Sequence, residues 1–371
     1  MLYTSNFPGR YLQGQNILSK LPEETGRMGK KAFVIAGGTA ASSILPALLK
    51  EWKNKLDAKV EKFNGECTDE EIKRLLGKTK GAKYDFVAGI GGGKCLDSAK
   101  CIGTALKIPV VIVPTIASTD APCSAISIVY STGGCFKKIQ YHGRNPDLVM
   151  VDSAVICMAP PRFLVSGMGD ALSTWFEAQS CRRSFSQNEC GGHGTLSAFA
   201  LAELCYNTLL EYGKLAKDAC ELKIVTPALE KIIEANTLLS GLGFESAGLA
   251  SAHSIHNGLT RIKGTHGMFH GEKVAFGTLT GLFLSGHSEK VLDEVYGFCE
   301  NIGLPTTFSD IGLKKVTRKE LIDAAEGACA EIESIHHEPF SVTKEAVLDA
   351  MIAADAYGRK RKSAFCGSPL K

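Results

Sequence analysis

The chain has 371 residues, 44% of them hydrophobic, and a formal net charge of +3. That is enough apolar chain for two domains, each with its own core. The small, mixed charge leaves no footprint for nucleic acid, and no unbroken apolar run approaches the roughly 18 residues of a membrane span.

In chain order, "KAFVIAGG" reads as a buried strand ending in glycine, "SSILPALLKEWKNKL" as a helix and "AKVEKFNGE" as a strand. "TDEEIKRLLGKTKG" is a helix opened by a capping box, Thr68 with Glu71 three residues on. "YDFVAGIGGG" is a strand followed by the helix "KCLDSAKCIGTAL", and "IPVVIVP" is a strand running into a hydroxyl-rich segment. "SAISIVYSTGGCFKKIQYH" alternates about a Gly-Gly turn and predicts a β-hairpin, and "PDLVMVD" is a last strand. Strands alternating with helices predict a mostly parallel α/β sheet. From about Pro160 the apolar period becomes helical and stays so, through "FLVSGMGDALSTWFEAQSC", "GEKVAFGTLTGLFLSG" and "TKEAVLDAMIAADAYGRK". The expectation is an α/β domain over 1–159 and an all-α domain over 160–371, with the ligand in the crevice between them.

The 13 cysteines are odd in number, irregularly spaced and without CxxC. This is the usage of a reduced cytoplasmic protein, not of a secreted disulfide framework. Cys157, Cys205 and Cys220 read as small core residues. The N-terminus lacks the basic-then-apolar order of a signal peptide. The basic run Arg359–Lys362 reads as a solvated helix end.

Three stretches carry chemistry. "GIGGGKCLDSAK" (Gly89–Lys100) closes a strand and opens a helix, so its backbone N–H groups and the helix N-terminus suit a phosphate or pyrophosphate, with Lys94 adding a point charge. The spacing is neither that of a P-loop nor G-x-G-x-x-G with its partner acid. "PTIASTDAPCSAISIVY" (Pro114–Tyr130) gathers Thr115, Ser118, Thr119, Ser124 and Ser127 around one acid, Asp120, as a loop holding a small polyhydroxylated ligand would. Finally, four of the nine histidines, His253, His256, His266 and His270, fall within eighteen positions, with Asp170 upstream in "GMGDALSTWFEA". Imidazoles with one carboxylate make a three-ligand catalytic metal site. His253/His256 are three apart and His266/His270 four apart, so either pair can share a helix face, and spacing does not choose between them.

These words, with "VTPALEKIIEANTLLSGLGFES", "SAHSIHNGLT" and "HGEKVAFGTLTGL", occur in an order that spans nearly the whole chain. They resemble the glycerol dehydrogenases of the iron-containing (group III) alcohol dehydrogenase superfamily. The resemblance implies a dehydroquinate synthase-like fold: an α/β dinucleotide-binding domain carrying NAD and a helical domain carrying one divalent metal, usually Zn2+. It implies Asp170, His253 and His270 as metal ligands and His256 as an active-site neighbour suited to taking the proton. It also implies Gly93 and Lys94 at the pyrophosphate, Thr115, Ser118, Ser124, Ile126 and Tyr130 as cofactor contacts, and Asp120 as the reader of the substrate hydroxyls. The implied reaction moves hydride from a small polyol, glycerol or a related vicinal diol, to NAD in a cytoplasmic homo-oligomer, commonly an octamer. In one respect the chain departs from this pattern. Many relatives carry an acid after the first strand for the adenosine ribose, whereas here Gly37 and Gly38 stand there, which leaves NADP less firmly excluded. The nearest alternatives on the same fold are a 3-dehydroquinate synthase-like lyase and a glycerol-1-phosphate dehydrogenase. Both need basic residues for phosphate, and the metal-site stretches offer mainly Arg261, Lys263 and Lys273.

Overall fold

A computed structural model describes residues 1–132 and 136–366. The chain forms two compact units. One comprises Asn6–Leu164 and Asp218–Gly241; the other comprises Met1–Ser5, Val165–Lys217 and Leu242–Lys371.

The first unit is built on a six-stranded sheet. Its strands are β1 (Tyr11–Gly14), β2 (Lys31–Ala36), β3 (Asp57–Lys62), β4 (Phe86–Gly91), β5 (Val110–Pro114) and β8 (Leu148–Asp152), in the order β1-β8-β5-β4-β2-β3, every pairing parallel. All residues of β4, β5 and β8 are buried, as strands covered on both faces must be. Phe86, Ala88, Val111, Val113 and Met150 share a core cluster with Leu45, Leu48 and Trp52 of the Leu45–Trp52 helix.

The edge strand β1 was not foreseen. It has four residues and no alternation, and what holds its exit is remote in sequence: the Asp152 carboxylate accepts the Asn16 and Leu18 N–H groups at 3.0 and 3.3 Å. The expected hairpin forms as β6 (Ile126–Tyr130) antiparallel to β7 (Phe136–Tyr141), with an irregularity at Val129/Tyr130. Its Gly133–Gly134 turn lies outside the described residues. The capping box forms by half. Thr68 Oγ1 accepts the Glu71 N–H at 3.1 Å, but the Glu71 carboxylate turns to Asn64 and Arg74 instead of back to Thr68.

The strand order reverses between β2 and β4, which is where open parallel sheets take their ligands, beyond the carboxyl ends of the strands. Two glycine turns stand there. The Gly37 N–H donates to the Ile90 carbonyl at 2.9 Å, and the Gly93–Leu106 helix starts two residues after β4. The hydroxyl-rich segment leaves β5 beside it, with Gly91 paired to Pro114 and the Thr115 N–H bonded to the Gly91 carbonyl at 3.0 Å.

The second unit is helical, apart from isolated bridges such as Tyr3–His193. Among the described residues no helix is long and apolar enough to cross a membrane. The described cysteines are free thiols, and Cys157, Cys205 and Cys220 are buried. Within the C-terminal basic run, Arg359 pairs with Asp355, Arg361 with Asp293 and Glu300, and Lys362 with Asp310.

Candidate active site

Three helices of the second unit converge through close backbone approaches. A side chain at Gly271 would stand 1.8 Å from the Ser166 carbonyl, and one at Gly277 would stand 2.3 Å from the Ala252 carbonyl. Only glycine lets the Pro161–Ser184, Ser251–Leu259 and His270–Leu284 helices touch this closely. The contacts carry Asp170, His253 and His270 to one point, where one ligand atom from each lies within 4.8 Å of the others. Asp170 Oδ1 is 3.1 Å from His270 Nε2 and 3.5 Å from His253 Nε2. His266 stands apart, its Nε2 against the Thr260 carbonyl.

The electrostatics are strong because Asp170 is fully buried. Burial alone would raise its carboxyl, but His270 and His253 outweigh burial and hold it well below the usual carboxylate range. For His253, burial opposes charge, yet Glu177 and Asp170 lift the imidazole well above its ordinary value. His256 is pushed the other way, well down, by burial and then by His270 and Lys273.

The outer contacts set the direction of each ring. His253 Nδ1 is 2.7 Å from Glu177 Oε2, a carboxylate that can only accept, so Nδ1 carries the hydrogen and Nε2 faces Asp170. The Asn257 amide nitrogen donates to Glu333, which leaves Oδ1 to accept from His256 Nδ1 at 3.0 Å. His256 Nε2 then accepts from His270 Nδ1 at 3.1 Å, and His270 also presents Nε2 to Asp170. Both Nε2 atoms and the buried Asp170 carboxylate face one point, and a divalent ion there would take the place of the protons on those nitrogens, so the donor set fits such an ion.

In the sheet unit, Gly93 opens the Gly93–Leu106 helix behind Gly92, which has no side chain to cap it, so the turn is free to meet an anion with backbone N–H groups. Thr119 Oγ1 would lie 3.4 Å from a side chain at Gly93. Lys94 Nζ is 2.5 Å from Glu66 Oε1 and 4.9 Å above the Tyr130 ring, in an exposed pair that opens at small cost.

Ser124 and Ile126 are drawn inward by Lys100. Its ammonium donates to the Ala121 and Ile126 carbonyls at 2.6 and 2.9 Å, and it reaches Ser124 Oγ and Asp97 at 3.4 Å each. Ser127 binds the Asp97 carbonyl and His142. Asp120 is buried, and its Oδ2 accepts from Ser240 Oγ at 2.8 Å. Sequence reasoning passed over Glu177, Asn257, Lys100 and Ser240. Only Glu177 left a signal, standing two helical turns after Asp170 on the same face.

The iron-containing alcohol dehydrogenase family matches residues 8–153. The glycerol dehydrogenase of Thermotoga maritima is 54% identical over 363 residues, covering 98% of this chain and 100% of that one. The glycolaldehyde reductase of Halobacterium salinarum is 44% identical and covers 95% of this chain and 97% of its own. The crystal structure of a probable glycerol dehydrogenase from Sinorhizobium meliloti 1021 superposes with a TM-score of 0.92 at 42% identity, over 97% of this chain and 100% of that one. With identity of this degree along its whole length and the same fold, the chain belongs to the iron-containing alcohol dehydrogenase family.

Proposed function

We propose that the chain is a metal-dependent dehydrogenase that moves hydride from a small polyol, glycerol or a related vicinal diol, to NAD. The observation that carries the reading is the Asp170, His253 and His270 cluster in a chain 54% identical to a glycerol dehydrogenase. Asp170, His253 and His270 would hold the ion, and zinc is the one proposed, since catalytic zinc takes two imidazoles, one carboxylate and an open position. Gly93, Lys94 and Thr119 would meet the cofactor's phosphates, and Thr115, Ser118, Ser124, Ile126 and Tyr130 would shape its bed. When bound, the dication supplies Lewis acidity and the nicotinamide takes up hydride.

The chain's own residues supply orientation and proton movement. Asp120, already accepting from Ser240, is an acceptor suited to a second hydroxyl of the substrate. His256 is the imidazole proposed to take up the hydroxyl proton, at an Nε2 that would give up the bond it accepts from His270 Nδ1 as it does so. A homo-oligomer is part of the reading, supported by Leu196, Leu204 and Leu215 standing exposed on one helix.

A substrate panel of glycerol, 1,2-propanediol, 2,3-butanediol and glycolaldehyde, run with NAD and NADP on metal-stripped and zinc-restored enzyme, tests the reading. Zinc-dependent oxidation of at least one diol with NAD is expected. Full turnover in the stripped enzyme would overturn the metal assignment.

A further inference from the structure

The two imidazoles of the cluster have unlike supports. His270 leans on another imidazole, while His253 leans on Glu177, a carboxylate only 1% exposed. The partners of that carboxylate are N–H groups. Oε1 accepts from the backbone of Ala250 and His253 at 2.9 and 3.0 Å, and Oε2 meets His253 Nδ1 at 2.7 Å. The first two bonds cap the Ser251–Leu259 helix, whose own N-cap, Ala250, offers no side chain for the task. The third bond does something different: it fixes which ring nitrogen of His253 keeps its lone pair.

We infer that Glu177 is a positioning residue for the metal, holding His253 as the Nδ1–H tautomer so that Nε2 is free to ligate. The inference rests on the metal reading above and deepens it. Glu177 and Asp170 lie seven residues apart on one helix, so a single rigid element sets both the carboxylate donor and the tautomer of the imidazole opposite it.

Glu177→Gln separates this role from capping. The glutamine Oε1 still accepts the Ala250 and His253 N–H groups. Its amide nitrogen then faces His253 Nδ1 and can only donate, so the ring hydrogen moves to Nε2, where it points into the cluster and blocks ligation. Glu338 supplies the matched control. It caps the same helix through the Ser251 N–H at 3.3 Å and accepts from Ser180 at 2.7 Å, and neither bond goes to a cluster imidazole.

The experiment is competition for zinc between the full-length chain and a chelator of known affinity, with the melting of each metal-free form measured beside it. Wild type and Glu338→Gln are expected to hold one zinc alike. Glu177→Gln is expected to bind about 10–100-fold more weakly, and its metal-free form, though it melts below wild type for want of the carboxylate beside His253, to stay folded under the conditions of the competition. Glu177→Asp keeps an acceptor towards His253 and is expected to fall nearer wild type than Glu177→Gln. Zinc held by Glu177→Gln as tightly as by wild type would overturn the inference and leave the metal reading standing. A folded Glu177→Asp chain that loses zinc as fully as Glu177→Gln should would also overturn it. Wild type that retains no zinc would instead overturn the metal reading itself.

Discussion

Asp120 is the lone acid of its segment, and two holds from the Ser240–Gly241 step set its place. Ser240 Oγ donates to Oδ2, and the backbone of Gly241 comes so close that a side chain there would stand 2.9 Å from the Asp120 carbonyl. Asp120→Asn keeps the shape and one acceptor but loses the charge-assisted bond to substrate, worth roughly 1.5–3 kcal/mol. The expected result is a fall of about 10–100-fold in kcat/KM for glycerol, with zinc content and NAD affinity unchanged; unaltered glycerol kinetics would remove Asp120 from the substrate site. The other residue-scale question is the missing ribose acid. Gly38 has open space where a side chain would go, and its φ lies outside the left-handed region, so an acid fits there without backbone strain. Gly38→Asp is expected to sharpen the preference for NAD, by adding an acceptor for the ribose hydroxyls and a like charge against a 2′-phosphate. Kinetic constants for both cofactors on the two proteins decide it. A wild type that already ignores NADP would show that some other residue sets the preference.

At the scale of one element, the Gly93–Leu106 helix serves two ends. Its first turn is the one the sequence suggests for an anion, and its middle carries Asp97 and Lys100, which the sequence did not single out. The hydroxyl-rich segment was legible as something unusual, but its density has two causes. Thr119 stands at the glycine turn, whereas Ser124 and Ser127 answer to Lys100, Asp97 and His142, partners whose distance in sequence hides them. Burial raises the Asp97 carboxyl and Lys100 works against that rise. Lys100→Met would strand Asp97 and leave the Ala121 and Ile126 carbonyls without their donor. Removing one partner of a buried pair costs about 3–5 kcal/mol. The loss should appear in urea unfolding, and Lys100→Met with Asp97→Asn should recover part of it, since the amide can still accept the Ile128 N–H. A single mutant within about 0.5 kcal/mol of wild type, the scale of a surface substitution, would mean that the lysine is not what braces this loop.

For the whole molecule, the sheet was legible because β2, β4, β5 and β8 are near-continuous apolar runs bounded by glycine and proline, while β1 was not, being short and held by Asp152 from the other end of the unit. The histidines were legible as a cluster but not as a ligand set. Spacing offered either pair, and the selection is made by contacts at Gly277, to the preceding helix, and at Gly271, to Ser166 far upstream in the sequence. Asp170, His253 and His270 therefore sit on three helices of one unit, and an ion bound by all three ties that unit together across a long stretch of chain. Zinc at 100 times its Kd stabilises the folded form by about 2.7 kcal/mol. At roughly 2–4 °C per kcal/mol for a unit of this size, stripping the metal should lower its melting temperature by about 5–10 °C. NAD binding to the stripped chain should persist, because Gly93 and Lys94 belong to the sheet unit. His270→Ala, which lacks one donor, should bind well below one zinc per chain, show no polyol oxidation and melt at the same temperature with or without added zinc. Calorimetry of the two proteins with and without the metal checks all three helices at once: a His270→Ala chain stabilised by zinc as much as wild type would show that the ion, if it binds, is held elsewhere.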